Sequence, residues 1–254
     1  MKHTLIRWAD WCWNPFTGCD SVSEGCDVGP GCYAREIATR YAGTPAFPNG
    51  FDPTFHPDRL DQPARCKTPS RIFVNSMSDV HHEDFSRDQI DAVYDVMLAV
   101  PRHDYLVCTH RPQRMRRYFT DPDDGYLARR GLEQVPQHIW LGVTIELGKY
   151  AFRANHLRAI PAVIRWVSVE PMLGPVGSLD LTGLAWVVVG GQSGNGFTPW
   201  DLAWPREIRD RCADAGVAYF FKQSPDRFTE RGITLDNQLH EEFPLPHPDP
   251  VRRQ

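Results

Sequence analysis

No run of this 254-residue chain approaches the roughly 18 consecutive apolar residues that a membrane-spanning helix needs, which excludes a helical membrane protein. An apolar leader is also missing, because the opening MKHTLIRWADW is short and charged; the expectation is a cytoplasmic protein. Charge of one sign is not in excess. With 28 Lys and Arg against 32 Asp and Glu the net charge is -4, so the chain is not a generally basic coat for nucleic acid, although local basic patches remain open to it. Histidine is scarce where it would matter most: around the first cysteines the nearest are His3, well before, and His56, well after.

What the sequence does have is a group of cysteines. Cys19, Cys26 and Cys32 fall within fourteen residues in WNPFTGCDSVSEGCDVGPGCYARE, just before a helical stretch. A short structural zinc loop normally closes its shell with four Cys or His ligands, whereas a cluster that binds a cofactor leaves one metal without a protein ligand. Three thiols without a neighbouring His point to an open metal site. Cys12, between Trp11 and Trp13 in a strand-like segment, is the local candidate for a fourth ligand. In a reducing compartment, clustered cysteines signal metal or redox chemistry more often than disulfides. Cys66, Cys108 and Cys212 are isolated and read as core thiols.

Periodicity gives a repeated strand-then-helix pattern. Strand-like runs occur at 71–75, 104–109, 138–144, 164–170, 185–190 and 217–222, with a first strand near Trp8 to Phe16, seven in all. Between them, Ile90, Val93, Met97 and Val100 recur at helical spacing behind Ser86, a capping residue, and a second helix runs from Pro205 to Ala215 before Gly216. The spacing predicts an α/β fold, a single parallel (β/α) barrel, partial or closed, over residues 1–225. Residues 226–254, with the Pro-rich PLPHPDP, form a tail that packs on the barrel or is partly disordered.

The ends of these strands are polar. They supply Ser76, Ser78 and Asp79; His110 and Arg111; Thr144 and Glu146; Ser168 and Glu170; the GGQSGNG run with Gly190, Gly191, Gln192 and Ser193; and Lys222 with Gln223. In a βα barrel these positions share one mouth, so they are expected to face the cysteine loop. The glycine run suits close backbone approach to a phosphate or ribose, or is simply a tight loop; it matches neither the dinucleotide fingerprint nor the P-loop. HHED at 81–84 reads poorly as one metal site, since adjacent side chains diverge, and Asp84 or Ser86 starts the next helix. Arg111, Arg114, Arg116 and Arg117 crowd one short helix, as a solvated face or a phosphate-binding surface.

WNPFTGC with its two further cysteines, FVNSMSD, THRPQRM, WLGVTIE, SVEPMLGP, VVVGGQSG and FFKQ, in this order from about Ile6 to Gln223, resemble the three-cysteine-motif phage protein family, a domain of unknown function. That family is similar in turn to the radical S-adenosylmethionine enzymes. The resemblance implies a radical-enzyme type of TIM barrel and a four-iron four-sulfur (4Fe-4S) cluster on Cys19, Cys26 and Cys32. S-adenosyl-L-methionine would chelate the open iron, an electron donor would reduce the cluster, and a 5'-deoxyadenosyl radical would take hydrogen from a substrate. By position, Ser76, Ser78 and Asp79 would hold the amino group, while Thr144, Ser168, Glu170 and Gly190 to Ser193 would hold the rest of the cofactor. Tyr33 would pack on the adenine or the cluster. Arg111, Glu146, Lys222 and Gln223 would face the substrate, for which a nucleic-acid base or nucleotide, modified or repaired, is the expectation. The spacing departs from the radical-enzyme pattern of three and two intervening residues: six separate Cys19 from Cys26 and five separate Cys26 from Cys32, three more than the resembling family has before its last cysteine. The alternative is a zinc-binding barrel serving as a nucleic-acid- or partner-binding module. A glycosidase-like pair of Glu146 and Glu170 ranks last because it leaves the cysteines without a role.

Overall fold

The computed structural model describes residues 1–244. Ten strands and seven α-helices follow one another: β1 (Lys2–His3), β2 (Trp11–Trp13), β3 (Phe16–Thr17), α1 (Tyr33–Arg40), β4 (Thr54–Phe55), α2 (Gln62–Arg65), β5 (Arg71–Val74), α3 (Arg87–Ala99), β6 (Asp104–Thr109), α4 (Pro112–Thr120), α5 (Tyr126–Arg130), β7 (Ile139–Thr144), α6 (Arg153–Arg158), β8 (Arg165–Val169), β9 (Trp186–Gly190), α7 (Ala203–Ala215) and β10 (Ala218–Gln223). Local chemistry sets the helix ends. Ser86 and Gln89 form a reciprocal capping box at the start of α3, and Gly216 closes α7 in the left-handed conformation at φ 65°.

Eight strands form one sheet in the order β1, β2, β5, β6, β7, β8, β9, β10, and all but the short antiparallel β1 run parallel. The seven parallel strands are the seven read from the sequence. Their spatial order is their chain order, so every crossover steps the same way, and with crossovers of one hand the helices collect on one face. The sheet curls into a half-barrel. No ladder joins β1 to β10 among the described residues, so of the two forms expected, partial or closed, the sheet takes the partial one. Side chains and tail cover the seam instead. Arg7 Nη1 donates to the carbonyls of Lys222 (2.9 Å) and Phe221 (3.3 Å). Residues 240–242 run beside β10, where Phe221 N donates to His240 O at 2.8 Å and Glu242 N to Tyr219 O at 3.1 Å. The tail packs on the sheet as far as Phe243, against Trp186 and Phe220; 245–254 lie outside the described residues.

Alternation along the strands divides the core in two. Outward positions such as Val107, Leu141, Val167, Val187 and Phe221 meet Ile90, Met97, Met115, Leu157 and Ile208 from the helices. Inward positions carry Leu106, Trp140, Trp166, Trp186 and Phe220, joined by Trp8 from the segment before β2. Trp8 sits 5.6 Å from Trp166, and Trp166 sits 5.3 Å from Trp186, centroid to centroid. Gly142 makes room for this layer, since a Cβ there would lie 2.4 Å from the Trp166 ring.

Candidate functional site

The cysteine loop leaves β3 and crosses the carboxyl ends of the parallel strands, pinned at several points. At its entrance Gly18 forms a bridge with Ser78: Gly18 N donates to Met77 O at 3.0 Å, and Ser78 Oγ donates to Gly18 O at 2.6 Å. Asn14, from WNPF, clamps the same stretch, with Nδ2 donating to Ser76 Oγ (3.2 Å) and Oδ1 accepting from Met77 N (3.1 Å). Its role was not read from the sequence, although the Asn-Pro pair after a strand is a turn signal.

Next comes a charged knot. Arg111 is buried, and its guanidinium reaches Cys19 Sγ (3.5 Å), Asp79 (3.3 Å), Glu83 (2.6 Å) and Asp20. Asp79 in turn accepts from Thr109 Oγ1 (2.7 Å), His110 N (3.0 Å) and His81 N (2.9 Å). Burial pushes the Asp79 carboxyl up, but Arg111, His81 and Thr109 more than offset it and hold the group below its usual range. Burial and then Asp79 push the Cys19 thiol up to about 12 against the opposing pull of Arg111. Arg111, read as a substrate group, is turned inward and committed to these partners.

Glu146 holds the middle of the loop. It is fully buried, accepts from Ser23 Oγ, and pairs with His110 (3.0 Å) and Arg153 (2.8 Å). Burial raises its pKa, but the hydrogen bond and charge of His110, with Arg153, bring it below the usual value. This carboxylate therefore ties the cysteine loop to the end of β7. Ser23 and Arg153, which make that connection, were not found from the sequence.

Gln192 holds the far side, donating from Nε2 to Val28 O at 2.6 Å and accepting from Thr198 N at 2.9 Å. Gly29 in the DVGPG segment has φ +68°, and a Cβ there would lie 2.5 Å from Gln192 Oε1, so the contact needs glycine. Gly191 is also held to glycine by the chain itself. A Cβ there would lie 2.3 Å from Pro225 N, so packing inside the chain demands a glycine at this position, as the tight-loop reading expects. Gln223 is likewise spent internally, donating to Gly191 O (3.1 Å) and accepting from Glu230 N (2.7 Å). Ser193 bridges Asp226.

Beneath the loop, the concave face turns polar. Thr144 Oγ1 lies 3.3 Å from Cys108 Sγ, Ser168 is buried on β8, and Lys222 Nζ donates to Glu170 Oε1. Glu230 lies near this pair; burial and Glu170 raise its pKa while Lys222 lowers it. Tyr33 is half exposed, but its hydroxyl donates inward to Ser76 O and is pushed up by burial, then by Cys12 and Cys32. Cys12 thus borders the same space. Asp79, Glu146, Glu170, Gln192, Lys222 and the three cysteines share the carboxyl end of the sheet, as the parallel order requires.

One expectation about ligands changes. The sequence places no His near the cysteines, but the Gly18–Ser78 bridge brings the segment after β5 alongside, and His82 Nε2 lies 3.1 Å from Asp20 Oδ1. Among the described residues, Cys19, Asp20 and His82 are the one set of three ligand-bearing side chains whose donor atoms all lie within 4.8 Å of one another. Arg111 bonds two of the three, so a cation already sits against this group. His81 points the other way, into the core against Tyr94 at 3.0 Å, as the divergence of neighbouring side chains predicts.

The family model for a protein of unknown function, DUF5131, matches residues 3–244. The chain belongs to this family. Comparison with curated proteins and with solved structures gives no match. The matched span covers the cysteine loop and every strand end that pins it.

Proposed function

We propose that this protein is a radical S-adenosylmethionine enzyme of the barrel type, with a 4Fe-4S cluster on Cys19, Cys26 and Cys32. The observation that carries the reading is the cysteine loop stretched across the carboxyl ends of a mostly parallel, curled sheet and tied to β5, β6, β7 and β9. The donor set fits: the loop offers three thiols, and no further cysteine lies within the loop to close the shell.

When bound, this cofactor pair would supply one-electron cleavage of the sulfonium and hydrogen abstraction from a substrate. The chain's own residues do the rest. Arg111 offers an N–H to Cys19 Sγ, a contact of the kind that tunes a cluster's potential. Thr144, Ser168, Glu170 and Lys222 line the concave floor, and Tyr33 carries its hydroxyl into it. The tryptophan layer below excludes water from that end of the half-barrel. A base or nucleotide remains the preferred substrate.

Anaerobic reconstitution should give about four irons per chain, broad absorption near 400 nm, and 5'-deoxyadenosine on incubation with dithionite and S-adenosylmethionine. Cys26→Ala should lose iron, colour and product, while Cys12→Ala should keep them. Iron loading without S-adenosylmethionine binding at millimolar concentration, or equal metal loss from Cys12→Ala, overturns the reading. A single zinc ion is the second reading, favoured by the grouping of Cys19, Asp20 and His82 and weakened by Arg111 against it. Colourless protein with one zinc per chain would decide for it.

A further inference from the structure

The arginine-rich run that the sequence singles out is split by the fold. Arg111 turns toward the cysteine loop, while Arg114 and Arg117 face a separate pocket of about 430 Å³ between α3, α4 and α5, together with Arg87 and Arg129. Three carboxylates also line this pocket, and each is already engaged. Glu83 accepts from Arg111 Nε at 2.6 Å. Asp124 pairs with Arg87 and Arg129. Asp121 accepts from the backbone N–H groups of Asp123 (3.1 Å) and Asp124 (3.0 Å).

Four arginines against three carboxylates leave one positive charge in excess, and two of the guanidinium groups, those of Arg114 and Arg117, have no carboxylate partner among the described residues. Arg114 donates from Nη2 to Phe85 O at 2.6 Å, which fixes the side chain and leaves its other donors for a ligand. Arg117 is exposed and makes no ion pair among the described residues. A pair of planar guanidinium forks at a concave site is matched by a tetrahedral oxyanion. On a chain of net charge -4, such a site is a local departure from the surrounding field.

We propose that this pocket holds a phosphate group of a nucleotide-containing substrate whose base reaches the sheet mouth. The pocket and the mouth share a wall: Glu83 lines the pocket and binds Arg111, which in turn reaches Cys19 Sγ at 3.5 Å. The proposal rests on the reading of the mouth as the place where substrate is modified. The source of the phosphate is a nucleic-acid strand or a mononucleotide.

The test uses the reconstituted full chain. Binding of a fluorescein-labelled single-stranded 12-mer is followed by anisotropy over a range of salt, and binding of adenosine monophosphate by calorimetry. The Arg114→Gln, Arg117→Gln double variant should weaken whichever probe binds by at least about tenfold, and for the strand it should lower the log–log salt slope by about one to two. Arg206→Gln, distant and paired with Asp236, should change neither. Circular dichroism of the double variant confirms that it folds. Strand binding lost in the double variant assigns the phosphate to a polynucleotide; mononucleotide binding alone, lost in the same way, assigns it to a free nucleotide. Absence of binding by both probes, or binding that the double variant retains with an unchanged salt slope, overturns the proposal. Formation of 5'-deoxyadenosine by the same preparation tests the radical reading separately, so either can fail alone.

Discussion

At the amino ends of β7, β8 and β9 the inward positions carry Trp140, Trp166 and Trp186. Two and four residues later the same inward rows carry Gly142 and Thr144, Ser168 and Glu170, and Val188 and Gly190. One end of the concave face is therefore filled by rings in contact, and the other is left to small and polar groups under a loop held by charges. Shape fixes the first end, where Trp166 leans on Trp8 and Trp186, and Trp186 on Trp140 and Phe220 as well. Pairing fixes the second, where Asp79, Arg111 and Glu146 are buried only because each is matched.

The contrast can be broken most severely at the aromatic end. Trp166→Ala should cost about 3–5 kcal/mol of unfolding free energy, measured by denaturant titration, because it removes a ring in contact with Trp8 and Trp186. A loss below about 1 kcal/mol would show that the layer is loosely packed. Next, Asp79→Asn should cost about 1.5–3 kcal/mol, since it weakens charge-assisted bonds from Thr109, His110 and Arg111.

A third effect depends on pH. Burial, in the main, lowers the His81 pKa from 6.5 to about 4. Between these values the unfolded chain takes up a proton that the folded one does not, so stability is complete above the unfolded value and falls as pH drops through it. The slope should reach about 1.4 kcal/mol per pH unit. His81→Gln should flatten that part of a stability–pH profile; an unchanged slope would assign it to other groups. The smallest global effect should come from Gln192→Ala, under about 1 kcal/mol, with its readout in hydrogen exchange. Amides of residues 26–29 and of Gly31 should exchange faster while those of β7 to β9 do not. Equal acceleration in both would mean that loop and sheet open as one unit.

The strands were legible because buried parallel strands write themselves as apolar runs, and the capping box at Ser86 and the stop at Gly216 are local signals. The shared mouth was legible through the parallel order alone. Partners of the strand-end residues were not. Whether Arg111 faces a ligand or Asp79, and whether Gly191 admits a cofactor or Pro225, depends on contacts between segments far apart in the chain. His82 escaped for the same reason: its approach to Asp20 depends on a bridge spanning sixty residues, from Gly18 to Ser78.

The loop's anchors bear on how such proteins are recognised. Cys19 is tied through Arg111, the stretch before Cys26 through Ser23 and Glu146, and the stretch before Cys32 through Val28 and Gln192. Each cysteine's stretch of the loop is thus stationed by its own strand end, and the slack between stations can differ in length. A search pattern written as fixed intervals between cysteines would discard this chain, whereas one written as cysteines plus their docking residues would retain it.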